Sequence, residues 1–211
     1  MNEYNTVTRF GEREIVINKS RFIGRCWPIK DEGQAVSILE DIRKKHWDAT
    51  HNCYAYSLSR GGAQRYSDDG EPGGTAGLPM MEVLKKRDIY FALVVVTRYF
   101  GGIMLGVGGL VRAYSKVAAA AIDEAGPAVM TLSHRYSLVI DYGLLSRIEN
   151  LIKNAGYKLL DTVYTDKVSL DIAVKAQEGA TFEKAVMEAT SGELPIKTQE
   201  LYIGWNIDTI Q

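Results

Sequence analysis

Cysteine is scarce in this chain, charge of one sign is not in excess, and long apolar runs are missing. Two cysteines among 211 residues, Cys26 and Cys53, leave no dense disulfide framework to hold the fold. Both sit in apolar, strand-like stretches and are expected as buried, reduced thiols. No apolar run approaches the ~18 residues that a membrane span requires. The opening residues Met1 to Thr6 carry no basic segment followed by an apolar one, so no secretory signal is read there. A soluble, cytoplasmic protein with no membrane partner is expected. The formal net charge is -1. Residues 1–133 carry 17 cationic and 15 anionic side chains, and residues 134–211 carry 8 and 11. Neither part has the basic excess of a dedicated DNA-binding domain.

What the chain does have is a glycine-dense turn between a buried strand and a helix. Phe91 to Thr97 is apolar and β-branched, as a buried strand should be. Arg98-Tyr-Phe-Gly-Gly-Ile-Met-Leu-Gly-Val-Gly-Gly109 follows. Leu110, Val111, Tyr114, Val117, Ala118, Ala121 and Ile122 then recur at helical spacing, up to a stop at Gly126-Pro127. Such a turn permits close approach of a ligand or of another backbone, and helix-start amides favour anions. The two phosphate-loop templates do not fit. After Gly101 and Gly106 the lysine and hydroxyl of a P-loop are missing, and Gly106 and Gly108 are followed by Val111 where a dinucleotide fingerprint needs glycine. Tight packing and anion or partner binding both remain open for these glycines.

Three short β-prone runs, Thr6–Phe10, Glu14–Asn18 and Arg21–Pro28, predict an antiparallel meander. Asp31 predicts the start of an amphipathic helix ending near His46, and His51–Leu58 predicts a strand. A long polar stretch from Ser59 to Gly77 comes next; loops of that length are uncommon inside compact domains unless they are functional or disordered. A helix over about Leu78–Arg87 precedes the buried strand. Beyond Pro127, strands at His134–Asp141, Tyr157–Tyr164, Lys167–Lys175 and Ile196–Trp205 alternate with helices at Leu144–Ala155 and Phe182–Ala189 in the order βαββαβ, the ferredoxin-like pattern. No internal repeat or low-complexity tract is present. The expected fold class is α+β, with domains over 1–130 and 134–211.

The candidate ligand- or partner-binding residues come from both loops. The polar stretch offers Asp68, Asp69, Gly70, Glu71 and Thr75; the turn and its helix offer Arg98, Gly101, Gly102, Gly106, Gly108, Gly109 and Arg112. Ser67 to Glu71 has hard oxygen ligands suited to a divalent cation but lacks EF-hand spacing, and Asp-Asp-Gly is also an ordinary turn sequence. Arg98 suits either a phosphate or a nearby carboxylate, and Lys116 reads as part of a solvated helix face. His51 and Cys53 share a strand face without a zinc-finger or catalytic partner set, so packing or hydrogen bonding is expected of them. No Ser/His/Asp order, HExxH or other complete catalytic constellation appears. No catalytic residue, metal ligand or cofactor is assigned.

The segments Asp68-Asp-Gly-Glu-Pro72, Gly74-Thr-Ala-Gly77, Gly77-Leu-Pro-Met-Met-Glu-Val-Leu84, Ile89, Val95-Val96, Arg98-Tyr-Phe-Gly-Gly102 and Leu105-Gly106 together resemble the signature of the IMPACT family, in its bacterial YigZ-like branch. The resemblance covers nearly the whole chain. It implies an N-terminal domain resembling the second domain of a small-subunit ribosomal protein, and a C-terminal domain similar to the last domain of elongation factor G. Eukaryotic relatives are translational regulators that bind a coactivator of the starvation-responsive initiation-factor kinase. That role uses a further N-terminal domain type not seen in this sequence, so the particular partner does not carry over. The resemblance thus implies a non-catalytic cytoplasmic binding protein linked to translation regulation or stress response. Its partners would be the ribosome, RNA or a translation-associated protein, with nucleic-acid binding included. The alternative is a metal-assisted enzyme acting on a phosphorylated small molecule or nucleotide: Arg98, Arg112 and the turn amides would hold phosphate, while Asp68, Asp69 or Glu71 would bind a metal or take a proton.

Overall fold

A computed structural model describes residues 2–59 and 62–205. Met1, Arg60 and Gly61 of the long polar stretch, and positions 206–211 of the expected C-terminal domain, lie outside the described residues. The fold is α+β. The chain divides into two compact units, Tyr4–Val129 and Met130–Gln211, the latter joined by Met1–Glu3.

In chain order the first part contains β1 (Glu3–Val7), β2 (Gly11–Ile17), β3 (Ser20–Pro28), α1 (Glu32–Lys45), β4 (His51–Ser57), β5 (Gln64–Ser67), α2 (Gly77–Lys86), β6 (Ala92–Tyr99) and α3 (Gly106–Glu124). One sheet orders these strands β2-β3-β6-β4-β5, with every pairing antiparallel. β6 lies at its centre. Val94 and Val96 pack with Phe22, Cys26, Cys53 and Ala55 against α2 and α3. Leu93 and Val95 point the other way and pack with Tyr56, Leu39 and Ile42 against α1. A strand covered on both faces has no polar side to show, which is why its sequence reads as a continuous apolar run. α1 begins where the Asp31 carboxylate accepts the Gln34 amide at 2.8 Å, a side-chain cap for a donor the helix cannot satisfy itself.

The structure departs from the sequence reading at three points. The expected meander holds only for β2 and β3: the chain's beginning belongs to another sheet, with the Leu132 amide donating to Asn2 O at 2.8 Å. The long polar stretch is not one uninterrupted loop, because Gln64–Ser67 pairs with Tyr54–Ser57 as edge strand β5. The strand expected from His134 begins at Pro127, which is tolerated as the first residue of a strand.

The second unit continues with β7 (Pro127–Ile140), α4 (Leu145–Ala155), β8 (Lys158–Tyr164), β9 (Val168–Lys175), α5 (Gly179–Thr190) and β10 (Ile196–Gly204). Its strands lie in the order β10-β7-β9-β8, antiparallel throughout, the βαββαβ arrangement. Tyr136, Leu138 and Ile140 of β7 and Leu170, Ile172 and Val174 of β9 alternate inward, and Ile148, Ile152, Phe182 and Val186 cover them from the two helices. α4 closes on Gly156 and α5 on Ser191, both in the left-handed region. Among the described residues no helix is long and apolar enough to cross a membrane.

Candidate functional site

β6 delivers Arg98 to the end of the central strand, on the face covered by α2 and α3. Directly across the ladder stand Phe22 of β3 and His51 of β4. The guanidinium is buried there, 5.2 Å from the Phe22 ring centroid and 5.4 Å from that of Phe100. A cation taken out of water needs a partner. It finds one in Glu71, whose Oε1 accepts Arg98 Nη1 at 2.6 Å; Arg98 Nη2 donates to Ser20 Oγ at 3.3 Å. Tyr114 of α3 donates its hydroxyl to the same Glu71 oxygen at 2.7 Å. Glu71 thus joins the loop, the central strand and α3 in one contact.

The rest of the loop is organised to bring Glu71 inward. Asp69 and Gly70 both have positive φ, 44° and 87°, a reversal that Asp tolerates and Gly adopts freely. Asp68 turns its carboxylate onto backbone amides: Oδ1 accepts Ala76 N at 2.9 Å and Gly77 N at 2.8 Å, and Oδ2 accepts Gly74 N at 2.8 Å. The first two amides open α2, whose own preceding residue, Ala76, has no capping side chain, so Asp68 caps this helix from eight and nine residues upstream. Asp69 Oδ2 accepts the Asn52 amide at 2.7 Å. Thr75 is buried and donates to Pro72 O at 2.6 Å. His51 Nδ1 lies 2.8 Å from Asp69 O, and since a carbonyl only accepts, that nitrogen carries the proton. Cys53 Sγ lies 2.9 Å from Asp68 O and 3.4 Å from the Tyr114 hydroxyl.

Burial suppresses the ionisation of these neutral groups. The Tyr114 hydroxyl is pushed well above its ordinary value, first by desolvation and then by Cys53 and Glu71. The Cys53 thiol is pushed up chiefly by desolvation, as is Cys26; both cysteines are free and buried. Neither thiol is a nucleophile at neutral pH.

Beside the Phe100 ring, the glycine turn meets this centre through Gly101. A side chain at Gly101 would place its Cβ 2.0 Å from the Lys19 carbonyl group, so only glycine lets the two backbones approach, and the Gly101 amide donates to Ser20 Oγ at 3.2 Å. Gly102, Gly106 and Gly108 are exposed and Gly109 half-buried. Arg112 is exposed on α3. The structure therefore brings together Asp68, Asp69, Gly70, Glu71, Thr75, Arg98 and Gly101, and leaves Gly102, Gly106, Gly108 and Arg112 at the surface. Sequence reasoning missed Tyr114 and Ser20. Tyr114 had a signal: a tyrosine on the apolar face of a helix needs a partner for its hydroxyl. Ser20 had none, since its role comes from a strand pairing.

Chemically, the arrangement is closed except at Arg98 Nε, which is buried without a hydrogen-bond partner among the described residues. Asp68, Asp69 and Glu71 each accept at least one internal hydrogen bond, and Arg98 gives to Glu71 the Nη1 donor that it could otherwise offer to a ligand. Among the described residues, no three His, Cys, Asp or Glu side chains are grouped to hold a metal ion.

These features define a two-unit α+β protein in which an acidic loop is bonded to the end of a central strand. The comparisons give the family. A model described as the Impact N-terminal domain matches residues 18–122, and one described as a domain of unknown function (DUF1949) matches residues 138–193. The chain is 42% identical over 202 residues to IMPACT family member YvyE of Bacillus subtilis, covering 95% of this chain and 93% of that protein. It is 34% identical over 183 residues to IMPACT family member YigZ of Escherichia coli, covering 85% and 90%. A crystal structure described only as that of a hypothetical protein aligns with a TM-score of 0.59 at 31% identity, covering 94% of this chain and 98% of its own. The chain belongs to the IMPACT family.

Proposed function

We propose that this protein is a cytoplasmic, non-catalytic binding protein linked to translation or its control under stress, with the ribosome, RNA or a translation-associated protein as partner. The observation that carries the reading is the commitment of the loop carboxylates to internal bonds: Asp68 to three amides, and Glu71 to Arg98 and Tyr114. Family membership supplies the link to translation. The domain limits 1–130 and 134–211, and the likeness of the two parts to a ribosomal-protein domain and to the last domain of elongation factor G, belong to the same proposal. Co-sedimentation of the full chain with ribosomes and ribosomal RNA of its host at low salt tests it. Pelleting that weakens as salt rises is expected, and recovery entirely in the supernatant overturns it.

The convergence of the acidic loop and the turn on one contact favours a second reading, a metal-assisted enzyme acting on a phosphorylated small molecule or nucleotide. It requires the buried Arg98–Glu71 pair to open. Phosphate-release screens with and without magnesium test it directly, and magnesium-dependent phosphate release by the unsubstituted chain would establish it.

A further inference from the structure

α2 and α3 leave an apolar groove between them on the outer side of the first unit, a cleft of about 460 Å3 lined by Leu78 and Val83 of α2 and Val111 and Ser115 of α3. Val107, one helical turn before Val111 on α3, is 65% exposed, and Ile103 and Met104 of the turn that precedes α3 are 42% and 87% exposed. Large aliphatic side chains left together in water mark an interaction surface. The charge around the groove is mostly positive: its lining holds Glu82 and Lys86, and Lys85 stands beside Glu82. Glu82 is met by Lys85 at 3.4 Å, while among the described residues no ion pair engages Lys86, Arg112 or Lys116. Arg112 and Lys116 stand four apart on the exposed side of α3, a like-charge spacing that disfavours the helix on its own.

We infer that this groove docks an acidic amphipathic helix of a partner protein. The inference rests on the binding reading above and names the chemistry of one partner. Three features select that occupant. The groove walls are two helices whose backbone groups are already bonded internally, so an extended peptide would gain no backbone hydrogen bonds there, whereas a helix satisfies its own. The lining is aliphatic and holds no aromatic ring on which a nucleic-acid base would stack. A second copy docking by two-fold symmetry would set one basic rim against another, while an acidic helix complements it. The partner helix would place leucine, isoleucine or methionine at i, i+3 or i+4, and i+7 in the cleft, flanked by Asp and Glu facing Lys86, Arg112 and Lys116.

The test uses the full chain in its native host, with a photoreactive benzoylphenylalanine in place of Leu78 and the cross-linked peptide sequenced. Cross-linking to an acidic amphipathic helical segment is expected. It should fall about tenfold in the combined Arg112→Glu, Lys116→Glu variant, and remain unchanged in Lys153→Glu on α4. Circular dichroism of each variant establishes that it is folded. Cross-links to RNA, to a second copy of this chain or to a segment without that pattern overturn the inference, as does a folded protein that yields no cross-link. Ribosome co-sedimentation is measured on the same variants. Loss of cross-linking with co-sedimentation absent in the unsubstituted chain removes the binding reading itself, while co-sedimentation without groove cross-links removes only the groove.

Discussion

Arg98 and Glu71, 27 positions apart, form an ion pair of 2.6 Å with both side chains almost wholly buried. Removing either partner strands a charge in the interior, which costs about 3–5 kcal/mol. Glu71→Leu and Arg98→Met are each expected to lower the unfolding free energy by that amount. The double variant should lie closer to the native protein than either single one, because no charge is left unpaired. Urea unfolding of the four proteins measures the coupling.

Asp68 acts through the backbone. Asp68→Ala removes the acceptor for the amides of Gly74, Ala76 and Gly77, two of which open α2. A loss of about 1–2 kcal/mol is expected. Amide hydrogen exchange should accelerate at these three positions and leave α4 and α5 unaffected.

Two neighbouring glycines separate close packing from backbone strain. Gly101→Ala drives a Cβ into the Lys19 backbone and should cost more than Gly102→Ala, whose side chain meets open space but must adopt φ +82°. The second substitution is expected to cost about 1–2 kcal/mol. Thermal unfolding of the two variants gives the order directly.

Alkaline pH should weaken the fold through its tyrosines. Burial, and the hydrogen bond to Glu32, push the Tyr56 hydroxyl up to about 12, and the Tyr99, Tyr114, Tyr136 and Tyr157 hydroxyls are also raised. A raised folded value means that the neutral form is favoured on folding. The Tyr56 contribution is thus fully present below the ordinary value of 10 and is lost as pH climbs toward about 12. Urea unfolding at stepped pH, with phenolate absorbance followed alongside, should show stability falling across that window. Stability independent of pH over the same range would contradict the tyrosine environments described.

Much of the architecture was legible because the signals were local. Asp31 ahead of an apolar-periodic run marked the start of α1, Gly126-Pro127 marked the end of α3, and the uninterrupted run before Arg98 marked a strand covered on both faces. The βαββαβ order followed from spacing alone. What was illegible depends on non-local pairing. β5 is a short edge strand with mostly exposed residues, and its pairing with β4 makes it a strand. The acidic loop's role was likewise hidden. Asp68 and Glu71 read as available ligands, yet one turns back to cap a helix not yet formed in the linear chain, and the other meets an arginine delivered by a strand after that helix. Arg98 paired to a carboxylate was one of the two roles its position allowed; only the fold names Glu71 and adds Tyr114.

The most direct test of this account is the unfolding free energy of the full chain with and without magnesium. Since Asp68, Asp69 and Glu71 are engaged by amides, Arg98 and Tyr114, the metal should leave stability unchanged. A saturable gain in stability that disappears in Asp68→Asn would contradict it, and would make the loop a metal site.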